Sequence, residues 1–444
     1  MELDMTKGKP ANLIVKFIVP IIIGNIFQQL YSMIDTIIVG QYVGVQALAA
    51  VGATGTINFL MIGFLQGLTT GFTVLTAQRF GAGDYEAMKK SVGSAIMLSV
   101  IATILVTLVC VTGMEWMLTV LQTPSDIYDM SKTYITIICW GVCCNILYNL
   151  LASILRALGN SRVPLYFLIV SALLNIALDL LFIRVYHMGV AGAAYATVIA
   201  QGIAGTLCFL YIIKKVPMLK LTKEHWKVDV QCMKIQLGIG IPMALQFSIT
   251  AVGTMMVQAV LNLFGSMAVA GYTAAMKIEQ LAIQPFMAMG MTMATYSAQN
   301  RGINDITRVK KGVKVAKIMS VIYSIIIFIV AVNIVPYAIR LFVSGDTTEI
   351  LGYAKTYLMI SGVCYIPLGY IFICRNALQG CGYAFAPMMG GTVELVARGI
   401  FSAIAAYFMS FEGVCVANVS AWVAAGIYLA IEYRRKIVKA HTDQ

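Results

Sequence analysis

The chain contains 444 residues, of which 60% are hydrophobic and only 11% are charged. This composition excludes an ordinary soluble domain, in which about 25% of the residues are charged. The formal net charge of +12 does not indicate nucleic-acid binding, because the basic residues separate apolar segments and do not form one basic face. The sequence therefore predicts a protein embedded in a membrane.

Apolar segments follow one another along the chain, and they are long enough to cross about 30 Å of hydrocarbon as helices. The first begins at Leu13. It is too long for a signal peptide and lacks a small-residue cleavage site, so we expect it to persist as a span. Hydropathy and turn residues together predict twelve spans, near residues 13–43, 48–76, 91–113, 131–153, 163–186, 190–213, 236–263, 268–296, 315–338, 353–374, 386–408 and 413–433.

The basic residues predict how the chain is oriented. Of the 31 lysines and arginines, two lie well inside spans, and four lie in one set of alternate connections or at the span ends beside them: Lys132, Arg184, Arg340 and Lys355. All the others lie in the remaining connections and near the two ends of the chain. Because lysine and arginine accumulate on the cytoplasmic side, both termini are predicted to be cytoplasmic, in a bacterial inner membrane.

A weak internal repeat divides the chain into halves. A shift of 221 residues, from Ala77 to Ala298, aligns 77–92 with 298–313 and places Lys89-Lys90 on Lys310-Lys311. Six spans per half return the chain to its starting side, so the halves are predicted to be parallel repeats about an axis along the membrane normal. The predicted fold is all-α, with two pseudo-twofold-related six-helix lobes at 1–215 and 236–444 and a cytoplasmic linker at 216–235.

The sequence lacks the motifs of several other protein classes. It contains no G-x-x-x-x-G-K-[ST] loop and no C-x-x-C pair among its ten cysteines. The three histidines fall in predicted loops or in the tail: His187, His225 and His441. We therefore expect no nucleotide-driven pump, no organic cofactor and no resident metal centre. A bundle of two related lobes with polar groups inside is usually a transporter, and its energy would then come from an ion gradient, a membrane potential or another subunit.

Acidic and amide side chains within the first lobe form the strongest candidate site. Asn175 and Asp179 share one face of span 5. Four residues of span 1 also share one face, because they are three or four positions apart: Asn25, Gln28, Ser32 and Asp35. Each carboxylate at this depth costs about 2.5–3.5 kcal/mol. Two of them in one dry pocket would not both ionise readily, so the pair is predicted to carry a proton or to bind Na⁺.

Two structural interpretations of these acids remain open. Asp35 and Asp179 could serve only to satisfy hydrogen bonds, or Asp179 could lie at headgroup level near Arg184. In the second lobe, Lys277 and Glu279 lie on span 8, and Glu394 and Arg398 are spaced to pair along span 11. These four charges are interpreted equally well as a structural ion-pair network or as part of a substrate site.

Four segments of the sequence resemble the multidrug and toxic compound extrusion (MATE) family, a branch of the MOP flippase superfamily. They occur in the family's order: Met33–Gly40, Ala77–Gly83, Ile154–Asn160 and Gly189–Thr197. The resemblance implies a transporter in which H⁺ or Na⁺ entry drives export of amphipathic, often cationic, drugs or toxic compounds. It further implies alternating access through a central V-shaped cavity.

The resemblance also implies where the coupling cation binds. Members with a site in the first lobe use an aspartate on span 1 together with residues of spans 4, 5 and 6, which match Asp35, Tyr134, Asn175, Asp179 and Thr197 here. Asn149 is a further match on span 4. Other branches use a glutamate on span 7, where this chain has Thr250, and an aspartate on span 10, which it lacks. A site in the first lobe is therefore predicted.

The resulting hypothesis is that cation binding at Asp35 and Asp179 lets span 1 bend near Pro20 and expel the substrate from a monomeric protein. Residues expected to line the substrate cavity are Asn25, Gln28, Ser32, Asn149, Lys277, Glu279, Glu394 and Arg398. Two alternatives are a flippase for lipid-linked precursors and an integral-membrane lipid-modifying enzyme. The first requires a strongly cationic cavity and the second requires clustered catalytic residues. Neither feature is evident in the sequence.

Overall fold

A computed structural model of the chain describes residues 3–120, 123–342 and 348–439. The tail histidine, His441, lies outside the described residues. Within them the chain forms fourteen α-helices and no strands, which confirms the predicted all-α class. Helices are favoured because hydrocarbon offers no hydrogen-bond partners, so each segment must satisfy its own backbone groups.

The first half of the chain forms seven α-helices. They are α1 (Pro10–Tyr42), α2 (Val45–Gly81), α3 (Tyr85–Val120), α4 (Tyr128–Trp140), α5 (Val142–Ala157), α6 (Arg162–Asp179) and α7 (Gly189–Lys215). A π-helical turn, Leu180–Val185, continues α6 directly after Asp179. Two short 3₁₀ turns, Pro217–Leu219 and Lys223–Trp226, follow α7 in the linker.

The second half repeats this arrangement. Its helices are α8 (Val230–Leu261), α9 (Ser266–Gly302), α10 (Ile306–Phe342), α11 (Thr348–Val363), α12 (Tyr365–Gly380), α13 (Phe385–Tyr407) and α14 (Phe411–Tyr433). A π-helical turn, Arg434–Val438, follows α14.

The described helices account for the twelve predicted spans. Nine helices are long and apolar enough to cross a membrane, and the bent pairs α4–α5 and α11–α12 add two more. The twelfth is α9, whose 37 residues are long enough but include Lys277 and Glu279, so the helix is less apolar than the others. The pairs bend by 46° and 51° at Gly141 and Cys364.

The two bends have different local causes. Pro367 lies just after Cys364 and cannot donate a backbone hydrogen bond to the preceding turn, so it favours the break in span 10. The first-half break is at Gly141, where an added Cβ would lie 2.2 Å from the Val198 side chain. Three other prolines lie inside spans without breaking them, since α1, α8 and α9 continue through Pro20, Pro242 and Pro285.

The fold comprises two compact units. One contains Val19–Ala244, and the other contains Met5–Ile18 together with the described residues from Leu245 onward. The opening segment of α1 thus belongs to the second unit, where Met5 is buried and its backbone N–H donates to Gln299 at 2.9 Å. The opening segment of α8 belongs to the first unit, where Gln236 donates to the carbonyl oxygens of Phe72 and Ser91.

Glycines allow α2 to contact α8 closely within the first unit. A Cβ added at Gly67 would lie 2.6 Å from the Cα of Ala244, and one at Gly71 would lie 2.4 Å from the Cα of Gly240. The spacing of small residues, four apart on both helices, is typical of membrane helices whose backbones pack together.

Replacing Gly71 by valine is therefore expected to lower the free energy of unfolding by about 1–3 kcal/mol, because overpacking forces the two backbones apart. Thermal unfolding of the detergent-solubilised protein measures the loss. Gly55→Val is the matched control on the same helix, since an added Cβ there meets nothing within 4 Å. Equal unfolding temperatures for the two variants would contradict the close contact.

Candidate cation site

The structure brings Asp35 and Asp179 together within the first unit. Asp35 lies in the last third of α1 and is half-buried, whereas Asp179 is the last residue of α6 and is 0% exposed. The two carboxyl groups lie close enough to interact electrostatically with each other. The π-helical turn begins directly after Asp179, and such turns occur frequently at functional sites.

Several oxygen atoms of the aspartate pair and its neighbour Asn175 receive no hydrogen bond from described protein groups. They include both carboxylate oxygens of Asp179, Oδ1 of Asp35 and Oδ1 of the neighbouring Asn175. Two ionised carboxylates this close repel each other, so a proton or a cation between them is strongly favourable. Carboxylate and amide oxygens are also hard ligands of the kind that small hard cations prefer. The geometry therefore suits either H⁺ or Na⁺.

The three other predicted cation-site residues lie around the aspartates. Asn175 is buried, and its Nδ2 donates to Oγ1 of Thr197 on α7 at 3.5 Å. Tyr134 on α4 is 5% exposed and lies close enough to interact electrostatically with both aspartates. Four helices, α1, α4, α6 and α7, thus each contribute to one small site.

A cluster of apolar side chains adjoins this site and includes Tyr134. Ile38 and Val39 from α1, Ile138 from α4, Ile183 from the π-helical turn and Val190 from α7 belong to one buried cluster. In such a low-dielectric environment charges interact more strongly than in water. Gain or loss of one cation here would consequently change the local electrostatic energy substantially.

A small cavity next to the site was not predicted from the sequence, and it is called the polar cavity below after four polar residues in its otherwise apolar lining. Its volume is about 40 Å³, and its polar lining comprises Asn58, Asn145, Thr197 and Gln201. Oδ1 of Asn58 and Oε1 of Gln201 receive no hydrogen bond from described protein groups. The cavity exceeds the roughly 10–15 Å³ that one water requires. Gln201 could have been recognised from its spacing, since it lies one helical turn after Thr197.

The other predicted first-lobe residues are more exposed. Asn25 and Asn149 are half-buried, and Gln28 and Ser32 are exposed. Asn149 donates to Asn145 at 2.9 Å, which connects it to the lining of the polar cavity. Gln28 interacts with Tyr31, a residue one turn before Asp35 that also contacts Gln201.

The charges predicted in the second lobe form a buried network, with one exception. Glu394 pairs with Arg375 and lies 3.8 Å from Arg398. Arg375 was predicted to lie in a connection, but it is buried within α12. Lys277 is exposed although Glu279 is buried, because residues two apart point to different sides of a helix.

Glu279 extends the same network through hydroxyl and amide groups. Its carboxylate accepts a 2.5 Å hydrogen bond from Tyr357. The Tyr357 hydroxyl accepts from Asn418, whose Oδ1 accepts from Arg398 at 3.2 Å. Most of the second-lobe charges are therefore already compensated by other protein groups.

The MatE family model matches the chain twice, at residues 20–181 and at residues 242–404. The chain belongs to the MatE family. The resemblance noted in the sequence is thereby confirmed, and the two matches repeat one family unit in each half of the chain. Because members of this family are membrane transporters, the protein is a multi-span transporter and not an enzyme.

Similar proteins cover nearly the whole chain. The probable multidrug resistance protein YpnP of Bacillus subtilis is 28% identical over 414 residues, which cover 93% of this chain and 92% of that protein. The multidrug export protein MepA of Staphylococcus haemolyticus is 24% identical over 393 residues. These cover 86% of this chain and 83% of that protein.

Solved structures share the fold. An outward-facing multidrug resistance MATE transporter of the MOP superfamily superposes with a TM-score of 0.93, covering 99% of this chain and 98% of its own, at 22% identity. This agreement confirms the predicted layout of twelve helices in two six-helix lobes.

Proposed function

We propose that the protein is an antiporter that exports amphipathic, often cationic, drugs or toxic compounds in exchange for H⁺ or Na⁺. The observation that carries this proposal is the Asp35–Asp179 pair, whose oxygens lack protein donors beside an apolar cluster. The names of the similar proteins, which describe multidrug resistance or multidrug export, support the substrate class.

The proposed cycle depends on neutralising the aspartate pair. Binding of one cation between Asp35 and Asp179 removes their repulsion and lets α1 bend near Pro20, where the missing backbone hydrogen bond lowers the cost of bending. The bend then expels the substrate, so that the substrate cavity is open to one side of the membrane at a time. In this proposal the protein works as a monomer in a bacterial inner membrane. Both termini are cytoplasmic, an orientation that the distribution of basic residues favours.

The internal repeat supports coupling through the first lobe. The two span breaks, at Gly141 and Cys364, are 223 residues apart, and the same shift places Arg398 at the position of Asn175 and Ser402 at that of Asp179. A fixed guanidinium therefore occupies the second-lobe position that an exchangeable cation would approach. Its charge is compensated by Glu394, and its Nε donates to Oδ1 of Asn418.

Flippase activity toward lipid-linked precursors is less well supported. Such a substrate carries phosphate groups and requires uncompensated positive charge, but the buried arginines Arg375 and Arg398 pair with Glu394. The exposed Lys277 supplies only one positive charge.

Efflux measured under imposed ion gradients tests the proposed function. The purified protein would be reconstituted in vesicles loaded with ethidium or a fluorescent fluoroquinolone, with separate Na⁺ and pH gradients of either sign. An inward cation gradient is expected to accelerate drug efflux, and reversing it is expected to slow efflux. Efflux rates that ignore both gradients would contradict cation coupling.

The amides of the polar cavity are expected to tune cation affinity. Asn58→Leu should weaken the affinity for the coupling cation about tenfold, the lower end of the effect typical of residues that orient metal ligands. The cation concentration giving half-maximal efflux measures this change. Asn262→Leu, at an exposed amide in the turn after α8, is the matched control. An unchanged half-maximal concentration in Asn58→Leu would exclude a role for the cavity.

A further inference from the structure

A groove of about 600 Å³ lies along one end of α10, beside residues of α12, α14 and the π-helical turn after α14. Three lysines of α10 line it: Lys310, Lys314 and Lys317. They are four and three residues apart, so they project from one helix face. The groove therefore presents concentrated positive charge at one end of a membrane span.

The contacts of these lysines leave their charges available. Lys310 donates to the carbonyl oxygen of Val438 at 3.1 Å, and Lys317 lies over the rings of Tyr370 and Tyr433, at 4.9 and 5.3 Å. Lys314 is exposed. Among the described residues none of the three forms an ion pair with a carboxylate.

The acidic residue of α14 near the groove, Glu432, already forms ion pairs with other residues. Glu432 pairs with Arg435 at 3.5 Å and with Lys436 at 3.8 Å. It therefore does not neutralise the groove.

The next turns of α10 make the groove apolar. Ile318, Val321 and Ile322 continue its lining, and Ile318 and Ile322 are 52% and 55% exposed. From Lys314 to Ile322 the helix rises about 12 Å, at about 1.5 Å per residue. A cationic end followed by an apolar wall matches the headgroup and acyl chain of a phospholipid.

The corresponding surface in the first half is covered by the chain itself. Lys314 aligns with Gly93 at the repeat shift of 221 residues (314 minus 93). A Cβ on Gly93 would lie 2.2 Å from the carbonyl oxygen of His225, a buried linker residue that hydrogen-bonds Glu86 at 2.9 Å. The linker thus packs directly on α3. Lysine replaces glycine on α10, so the second half could not accept such a backbone at this position.

We propose that the α10 groove binds an anionic phospholipid, with its phosphate at Lys310 and Lys314 and one acyl chain along Ile318 and Ile322. Each lysine near an anionic headgroup contributes about 1 kcal/mol, or about fivefold in affinity. This binding site is separate from the cation site and does not depend on drug transport. The alternative occupant of the groove is the chain's own segment 440–444. This segment offers only one acidic side chain to the three lysines.

Photolabelling of the reconstituted full chain tests this site. The probe is phosphatidylglycerol with a photoreactive diazirine in its acyl chain, diluted in phosphatidylcholine vesicles, and the labelled peptides are mapped by mass spectrometry. Labelling is expected on α10 around Ile318 and Ile322. Lys314→Gln should reduce it about fivefold and the double variant Lys310→Gln/Lys314→Gln about 30-fold, whereas Lys314→Arg should retain it.

Lys214→Gln/Lys215→Gln, at an exposed pair on α7, is the matched control and should label like the wild type. Equal labelling by a phosphatidylcholine analogue, or labelling unchanged in Lys310→Gln/Lys314→Gln, would overturn the proposal. Displacement by inorganic phosphate would identify a free-anion site instead. A large increase in labelling after deletion of residues 440–444 would identify the chain's own tail as the occupant.

Discussion

Replacing either Asp35 or Asp179 by asparagine is expected to reduce gradient-driven drug efflux at least about tenfold while leaving the protein folded. A tenfold gradient of H⁺ or Na⁺ supplies about 1.4 kcal/mol per ion, which can maintain up to about a tenfold drug gradient in one-for-one exchange. Asparagine keeps the size and polarity of the side chain, but it cannot carry the exchangeable charge. The uncoupled variants should therefore only equilibrate the drug.

Vesicle efflux measures the loss, and drug binding to solubilised protein shows whether the variants still recognise the substrate. Asp126→Asn is the matched control, because Asp126 is exposed in the connection before α4. Retention of gradient-driven efflux by Asp179→Asn would show that the buried pair does not couple transport. Equal loss in Asp126→Asn would show that the effect is unspecific.

Replacing Glu394 by glutamine is expected to destabilise the protein by about 3–5 kcal/mol, because removing one member of a buried ion pair leaves an uncompensated charge. The effect should be large because Glu394 faces both Arg375 and Arg398, and all three side chains are at most 9% exposed. Thermal unfolding in detergent measures the change.

Glu432→Gln provides a close comparison. Glu432 also faces two basic residues, Arg435 and Lys436, but these are 76% and 31% exposed. Exposed ion pairs contribute about 0–1 kcal/mol, so this variant should unfold close to the wild type. Similar unfolding of both variants would contradict a buried structural role for Glu394.

Most of the fold could be predicted from the sequence, because a segment must be long and apolar enough to cross hydrocarbon as a helix. The twelve spans and the repeat follow from apolar segments of adequate length and from the pairing of Lys89-Lys90 with Lys310-Lys311. The break at Cys364 has a sequence signal in Pro367. The break at Gly141 has none, because it involves a contact with Val198 on another helix.

The candidate site could be predicted only in part. Asp35 and Asp179 are conspicuous because an acid inside a span is costly, whereas Tyr134 and Thr197 were identified through the family resemblance. Asn58 was missed because one amide in an apolar segment gives no sign of which cavity it lines. The partner of Glu394 on α12, Arg375, was assigned to a connection because span ends are uncertain by several residues.

The most direct test of coupling through the aspartate pair is to drive the exchange backwards. Vesicles containing the protein would receive only a drug gradient, and a pH-sensitive dye and radioactive sodium would report cation movement. H⁺ or Na⁺ is expected to move opposite to the drug in the wild type and to stay at the leak rate in Asp35→Asn/Asp179→Asn. Drug movement without any cation flux in the wild type, or the same cation flux in the double variant, would contradict the proposed mechanism.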